Sequence, residues 1–187
     1  MITIVPYRPT WPEEFANLAA AIRAAAADTA LAIHHIGSTS VPGLAAKDVI
    51  DIQMTVADLD AVPTKALVAV GYTARPDVVT DHCPPGMQIS ARELTKRYLS
   101  RRDRPVHLHV RVESRFNQRY PLLCRDYLRS HPDVADAYAE IKRQLARYFP
   151  DDADAYYAIK DPVFDAFMGG AREWARFTGW QQPPTDA

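Results

Sequence analysis

Between His34 and Met54 the chain reads HHIGSTSVPGLAAKDVIDIQM, and this stretch constrains the fold more than any other. An apolar run, Leu31-Ala32-Ile33 with Ile36 beyond two histidines, reads as a strand that stops at Gly37-Ser38. A turn of small residues follows, with Pro42 and Gly43, and then Val49-Ile50-Asp51-Ile52-Gln53-Met54. The second segment alternates, so positions 51 and 53 share one face of a strand and the apolar positions share the other. Strand, Gly-Ser turn and acid-bearing strand together suit a phosphorylated ligand. Backbone N–H groups and hydroxyls at the turn hold phosphate, and the carboxylate holds the magnesium that accompanies it.

The pattern extends on both sides. Thr10, Pro12, Glu13 and Glu14 open a helix expected to run from Trp11 to about Ala27. Strands are expected at 31–36 and 48–56, then a helix over Leu59–Ala69 and a short strand after Gly71-Tyr72. Prolines and a glycine mark Arg75–Met87 as a loop. A hairpin follows, with arms at Leu94–Arg101 and Pro105–Val112. In its second arm Val106, Leu108, Val110 and Val112 face one way, and His107, His109 and Arg111 the other. From Tyr120 the chain reads helical: Tyr120–Ser130, Asp133–Phe149, and Asp152–Phe177, which Pro162 is expected to kink or split. The tail, Gln181–Ala187, is expected to be disordered. The expectation is one α+β domain: a mixed-sheet half over 1–118, a helical half over 119–180 and the tail.

Composition narrows the function classes. The chain has 187 residues, 48% hydrophobic and 24% charged, enough for one full core. No apolar run approaches the ~20 residues of a membrane span. The N-terminus lacks a basic-then-apolar leader, so a cytoplasmic protein is expected. Cys83 and Cys124 are too few for a disulfide framework or a metal box, and read as reduced thiols. A net charge of −1 gives no global attraction to nucleic acid or membrane. Locally, nine basic residues lie between Arg92 and Arg119 among only three acids. Such a segment holds an anionic ligand or forms a solvated hairpin.

Gly37-Ser38 with Asp51 thirteen residues after Ser38 resembles the signature of the nucleotidyltransferase-fold superfamily. Residues His35 to Lys47, HIGSTSVPGLAAK, resemble the GrpB (UPF0157) family more specifically. So do His107-Leu108-His109-Val110, Arg125-Asp126-Tyr127-Leu128-Arg129, Tyr138–Lys142 and Ala171–Trp174. Ala46–Gln53 is also similar to the GrpB-like domain fused to dephospho-CoA kinase in some actinobacteria. The resemblance implies a nucleotidyltransferase-like mixed sheet with flanking helices and a C-terminal helical lobe. It also implies a cleft for a nucleotide or similar phosphorylated small molecule, with metal-dependent nucleotidyl transfer or, alternatively, non-catalytic binding of the same ligands.

In the superfamily two carboxylates one residue apart, and a third from a later strand, hold two magnesium ions. Here Asp51 stands at the first position, as metal ligand and catalytic residue or, otherwise, as the ion-pair partner of a nearby cation. Gln53 stands at the second, as a substrate-binding residue, and His107 and His109 stand on the later strand as catalytic candidates. The imidazoles lie about 6–7 Å apart by strand rise and suit a transition metal, with His35 as a possible third ligand, or proton transfer, or substrate binding. Gly37, Ser38, Thr39 and Ser40 are expected to cradle phosphate or, otherwise, to form a Ser/Thr-rich turn capping a short helix near Leu44, with Lys47 neutralising the phosphate or standing as a surface charge. Arg125 and Arg129, at i and i+4 on one helix face, are expected either to grip the anion or to form salt bridges. Tyr156, Phe164, Phe167 and Trp174 read as core.

Overall fold

The computed structural model describes residues 1–187. In chain order the elements are α1 (Trp11–Ala26), β1 (Ala32–Ile36), β2 (Ile50–Val56), α2 (Thr64–Ala69), β3 (Thr73–Ala74), α3 (Ala91–Leu94), β4 (Arg97–Arg101), β5 (Val106–Val112), α4 (Phe116–Ser130), α5 (Pro132–Tyr148) and α6 (Ala153–Thr178). A short 3₁₀ turn occupies Ser38–Ser40. The five strands form one sheet in the order β1-β2-β5-β4-β3, in which β2 and β5 are parallel and the other neighbours antiparallel.

Alternation divides the sheet into two unlike faces. Ile50, Ile52, Met54 and Val56 of β2 join Val106, Leu108 and Val110 of β5 and Leu99 of β4 in the main core. Trp11, Phe15, Leu18, Ala19 and Ile22 of α1 cover that face, at the i, i+3, i+4 spacing of an apolar stripe. The opposite face carries Asp51, Gln53, His107, His109 and Arg111, a set that no apolar helix can cover without charged or polar partners of its own. The helical half supplies them: α4 contacts β1 and β5, while α5 and α6 pack on α4.

Several boundaries differ from expectation. The helix placed over 59–69 begins only at Thr64, because Pro63 disfavours helical geometry at Val62. The first hairpin arm starts at Arg97, after the helical turn α3. Helix α4 starts four residues early, at Phe116, and carries Pro121 in its second turn. Helix α6 passes unbroken through Pro162, and the Asp152 carboxylate caps it by accepting from the Ala155 N–H at 2.9 Å.

The largest departure is the tail, which is ordered along the outer edge of β1. The Asp186 N–H donates to the Ile33 carbonyl at 2.9 Å, and the Ile33 N–H donates to Thr185 Oγ1 at 3.1 Å. The Asp186 carboxylate accepts from the His35 N–H at 2.9 Å and from Arg125 Nη1 at 2.6 Å.

Candidate functional site

The polar face of the sheet and the helical half enclose a cleft of about 440 Å³. Parallel pairing of β2 with β5 sets its floor, because the register places Asp51 beside His107 and Gln53 beside His109. Asp51 Oδ1 lies 3.0 Å from His107 Nδ1. Burial works to raise the Asp51 pKa, but the His107 hydrogen bond and the charges of His107, His109 and Lys47 outweigh it and hold the carboxyl below its usual range. An ionised carboxylate only accepts, so the His107 proton sits on Nδ1.

His109 has the opposite arrangement. Its Nδ1 lies 3.2 Å from Arg111 Nη2 and 3.4 Å from Lys96 Nζ, both of which only donate. Nδ1 is therefore bare and Nε2 carries the proton. Burial first, then the Arg111 and Lys96 charges, push the His109 pKa well below its usual value. Both cations are held by Asp81, which accepts from Arg111 at 2.8 and 2.9 Å, from Lys96 at 2.7 Å and from Asn117 at 3.0 Å. Burial opposes ionisation of Asp81, yet the Arg111 and Lys96 charges drive its pKa far down.

The Gly37–Ser40 turn forms one wall. Gly37 has φ +70°, and a Cβ there would collide with the Asp51 carboxylate and lie 2.9 Å from Asp51 Cβ. Ser38 Oγ accepts from Lys142 Nζ at 2.9 Å. Lys142 comes from α5, is 2% exposed, also donates to the Ala45 carbonyl and stands 4.5 Å from the centre of the Tyr138 ring. Burial and then the Lys160 and Arg143 charges bring its pKa down to about 7. Lys47 donates to the Tyr157 hydroxyl and lies 4.5 Å over that ring.

Not every expected residue offers a free group to the cleft. Gln53 shares the Asp51 face but is fully buried, with its amide accepting from Arg111 and donating to the Gln118 carbonyl beneath α4. Ser40 lies off the lining and donates to the Gly37 carbonyl at 2.6 Å. Thr39 Oγ1 donates to the Val49 carbonyl and bonds His35 Nε2. His35 faces away from Asp51, stacked on Phe15 at 4.8 Å, and burial lowers its pKa to about 4. Three imidazoles therefore do not converge. The Arg125 guanidinium is buried and taken up by Asp126, Asp186 and the His35 carbonyl. Arg129 clasps the Ser40 carbonyl at 2.8 and 3.0 Å, outside the cleft. Neither arginine is free to grip an anion.

Sequence reasoning missed Lys142, Asp81, Tyr98 and the individual roles of Lys96 and Arg111. A signal existed for Lys142. The buried positions of α5 are Ala135, Tyr138, Ala139, Lys142 and Leu145, so a lysine occupies an apolar stripe.

Donor atoms of Asp51, His107 and His109 lie within 4.8 Å of one another. A two-magnesium centre needs several carboxylates, and Asp51 is alone, since Asp81 is neutralised by its own cations. A transition metal needs a bare nitrogen from each imidazole, but a His109 ring whose Nδ1 accepts from cations presents Nε2–H. In this arrangement the trio offers one carboxylate and, on His107, one bare imidazole nitrogen.

A sequence model described as GrpB protein matches residues 1–169. A UPF0157 protein of Pseudomonas aeruginosa is 38% identical over 91% of this chain and 67% of its own length. A UPF0157 protein of Bacillus subtilis is 32% identical over 94% of this chain and 48% of its own. A dephospho-CoA kinase of Mycolicibacterium paratuberculosis is 34% identical over 96% of this chain and 48% of its own. The chain thus spans about half the length of the first curated relatives it matches. The crystal structure of the conserved protein GrpB from Enterococcus faecalis superposes with a TM-score of 0.73 at 29% identity, covering 96% of this chain and 100% of that one.

Proposed function

The chain belongs to the GrpB family, and from that premise we propose that its cleft binds a nucleotide or another phosphorylated small molecule. One observation carries the reading. Six basic side chains and three acids line the cleft of a chain whose net charge is −1. Asp81 offsets part of the Lys96 and Arg111 charge, Asp161 offsets Lys160, and Arg125 is taken up by Asp126 and Asp186, so the cations left over are Lys47 and Lys142. Lys142 and Lys47 have no carboxylate partner, and with the Ser38 hydroxyl they form the corner suited to phosphate. Relatives named dephospho-CoA kinase bear a phosphorylated adenosine derivative in that name, which is the same ligand class. Magnesium-dependent nucleotidyl transfer is the reading with less support, since the cleft offers one carboxylate where two-metal transfer uses several.

Thermal unfolding tests the binding directly, with ATP, CTP, GTP and inorganic phosphate, each with and without Mg²⁺. At 100 times Kd a ligand adds about 2.7 kcal/mol, a rise in Tm of about 5–10 °C for a domain of this size. At least one nucleotide is expected to produce it, and to do so without Mg²⁺. A flat response to all four at millimolar concentration would refute the proposal.

A further inference from the structure

We infer that His107 and His109 act as a metal-independent acceptor–donor pair, with His107 as general base toward a hydroxyl that attacks the phosphorus of the bound ligand and His109 as hydrogen-bond donor to the transferred group. The inference rests on the cleft being a site for phosphorylated molecules. Its substrate class is a phosphoanhydride, and its simplest acceptor is water.

The two rings are held by opposite kinds of partner. Asp51 accepts from His107 Nδ1, so in the neutral ring the lone pair is on His107 Nε2. Arg111 and Lys96 donate to His109 Nδ1, which leaves a proton on His109 Nε2. Both rings line the cleft, neither Nε2 has a protein partner, and neither is among the buried unpaired polar atoms. The ring centres are 6.4 Å apart, and Tyr98 packs on both, at 5.6 and 5.2 Å. With both rings neutral, His107 accepts at its free nitrogen and His109 donates at its own. Asp51 is a positioning residue: it holds the His107 ring and offsets the charge that appears when Nε2 is protonated.

The step balances without a cofactor. The hydroxyl oxygen bonds to phosphorus as its proton passes to His107 Nε2. The bond from phosphorus to the bridging oxygen breaks, and its electron pair leaves on the departing phosphate. Lys47 and Lys142 face that developing charge, and the His109 N–H donates to an oxygen of the transferred group. His107 then releases its proton to solvent.

Glutamine separates the two roles, because it can donate as His109 does but cannot accept a proton as His107 does. The assay is phosphate release from ATP, CTP and GTP in excess EDTA, with binding followed by thermal shift. His107→Gln is expected to lower kcat at least about 100-fold with KM and the thermal shift little changed. His109→Gln is expected to lose less than tenfold. Asp51→Asn is expected to lower kcat while keeping the thermal shift. Release that stops in EDTA, or His107→Gln turning over at the wild-type rate, would overturn the inference. So would a wild-type protein that is stabilised by nucleotide yet releases no phosphate, and that outcome leaves the binding site intact. Absence of any thermal shift would instead remove the binding reading beneath it.

Discussion

Gly37 shows how one position can answer two demands. Its φ of +70° already disfavours side chains, and the space a Cβ would fill holds the Asp51 carboxylate. Gly37→Ala is therefore expected to cost about 2–4 kcal/mol, from backbone strain together with displacement of Asp51. Urea unfolding of the variant against wild type measures it, and an unchanged midpoint would mean that the turn yields freely. The glycine was legible as a turn signal in the sequence. Its second demand was not, because a contact with a residue fourteen positions away exists only once β1 and β2 pair. Lys142 stood in an apolar stripe that the sequence displays, yet a lone lysine there also reads as a snorkelling surface residue. Only the fold shows that its ammonium ends at Ser38 and the Ala45 carbonyl.

Among the elements, β2 and β5 were the most legible. Period-two alternation assigned Asp51, Gln53, His107 and His109 to polar faces, and the register puts those faces side by side. The helical half was legible as helices but not in what it covers. Gln53, Arg125 and Arg129 looked like ligand-binding groups because a polar side chain in an alternating pattern does not reveal whether water or another helix lies above it. The tail was the least legible element. Gln181–Ala187 holds two prolines and no apolar periodicity, and it pairs with β1 through the Thr185 and Asp186 side chains as much as through its backbone. Deleting residues 181–187 strips the β1 edge and leaves the buried Arg125 with Asp126 as its remaining carboxylate partner. A loss of about 2–4 kcal/mol is expected, less than the full cost of an unpaired buried charge because Asp126 remains. Urea unfolding measures that loss, and size-exclusion chromatography at rising concentration checks whether the exposed strand edge promotes association. Equal stability with and without the tail would show that the latch carries no weight.

At the scale of the whole molecule, the sheet and the helical half meet through a cation. Lys142 crosses from α5 to the Gly37–Ser38 turn, and burial there lowers its pKa from 10.5 to about 7. Between those values the unfolded chain binds more protons at this site than the folded one, so folding gains stability as pH rises from about 7 toward 10.5. The gain is expected to be a few kcal/mol at most. Urea unfolding at pH 7, 8 and 9 is expected to show a steeper rise for wild type than for Lys142→Met, and equal slopes would place the titration elsewhere. A different coupling joins Arg125 to Asp186, 61 residues later in the chain. A ribosome adds about 5–20 residues per second, so Arg125 is synthesised seconds before this counter-charge exists. During that interval α4 has a guanidinium to bury with only Asp126 beside it, and the β1 edge has no partner. Full pairing of Arg125 and of the β1 edge therefore waits until Thr185 and Asp186 have been made.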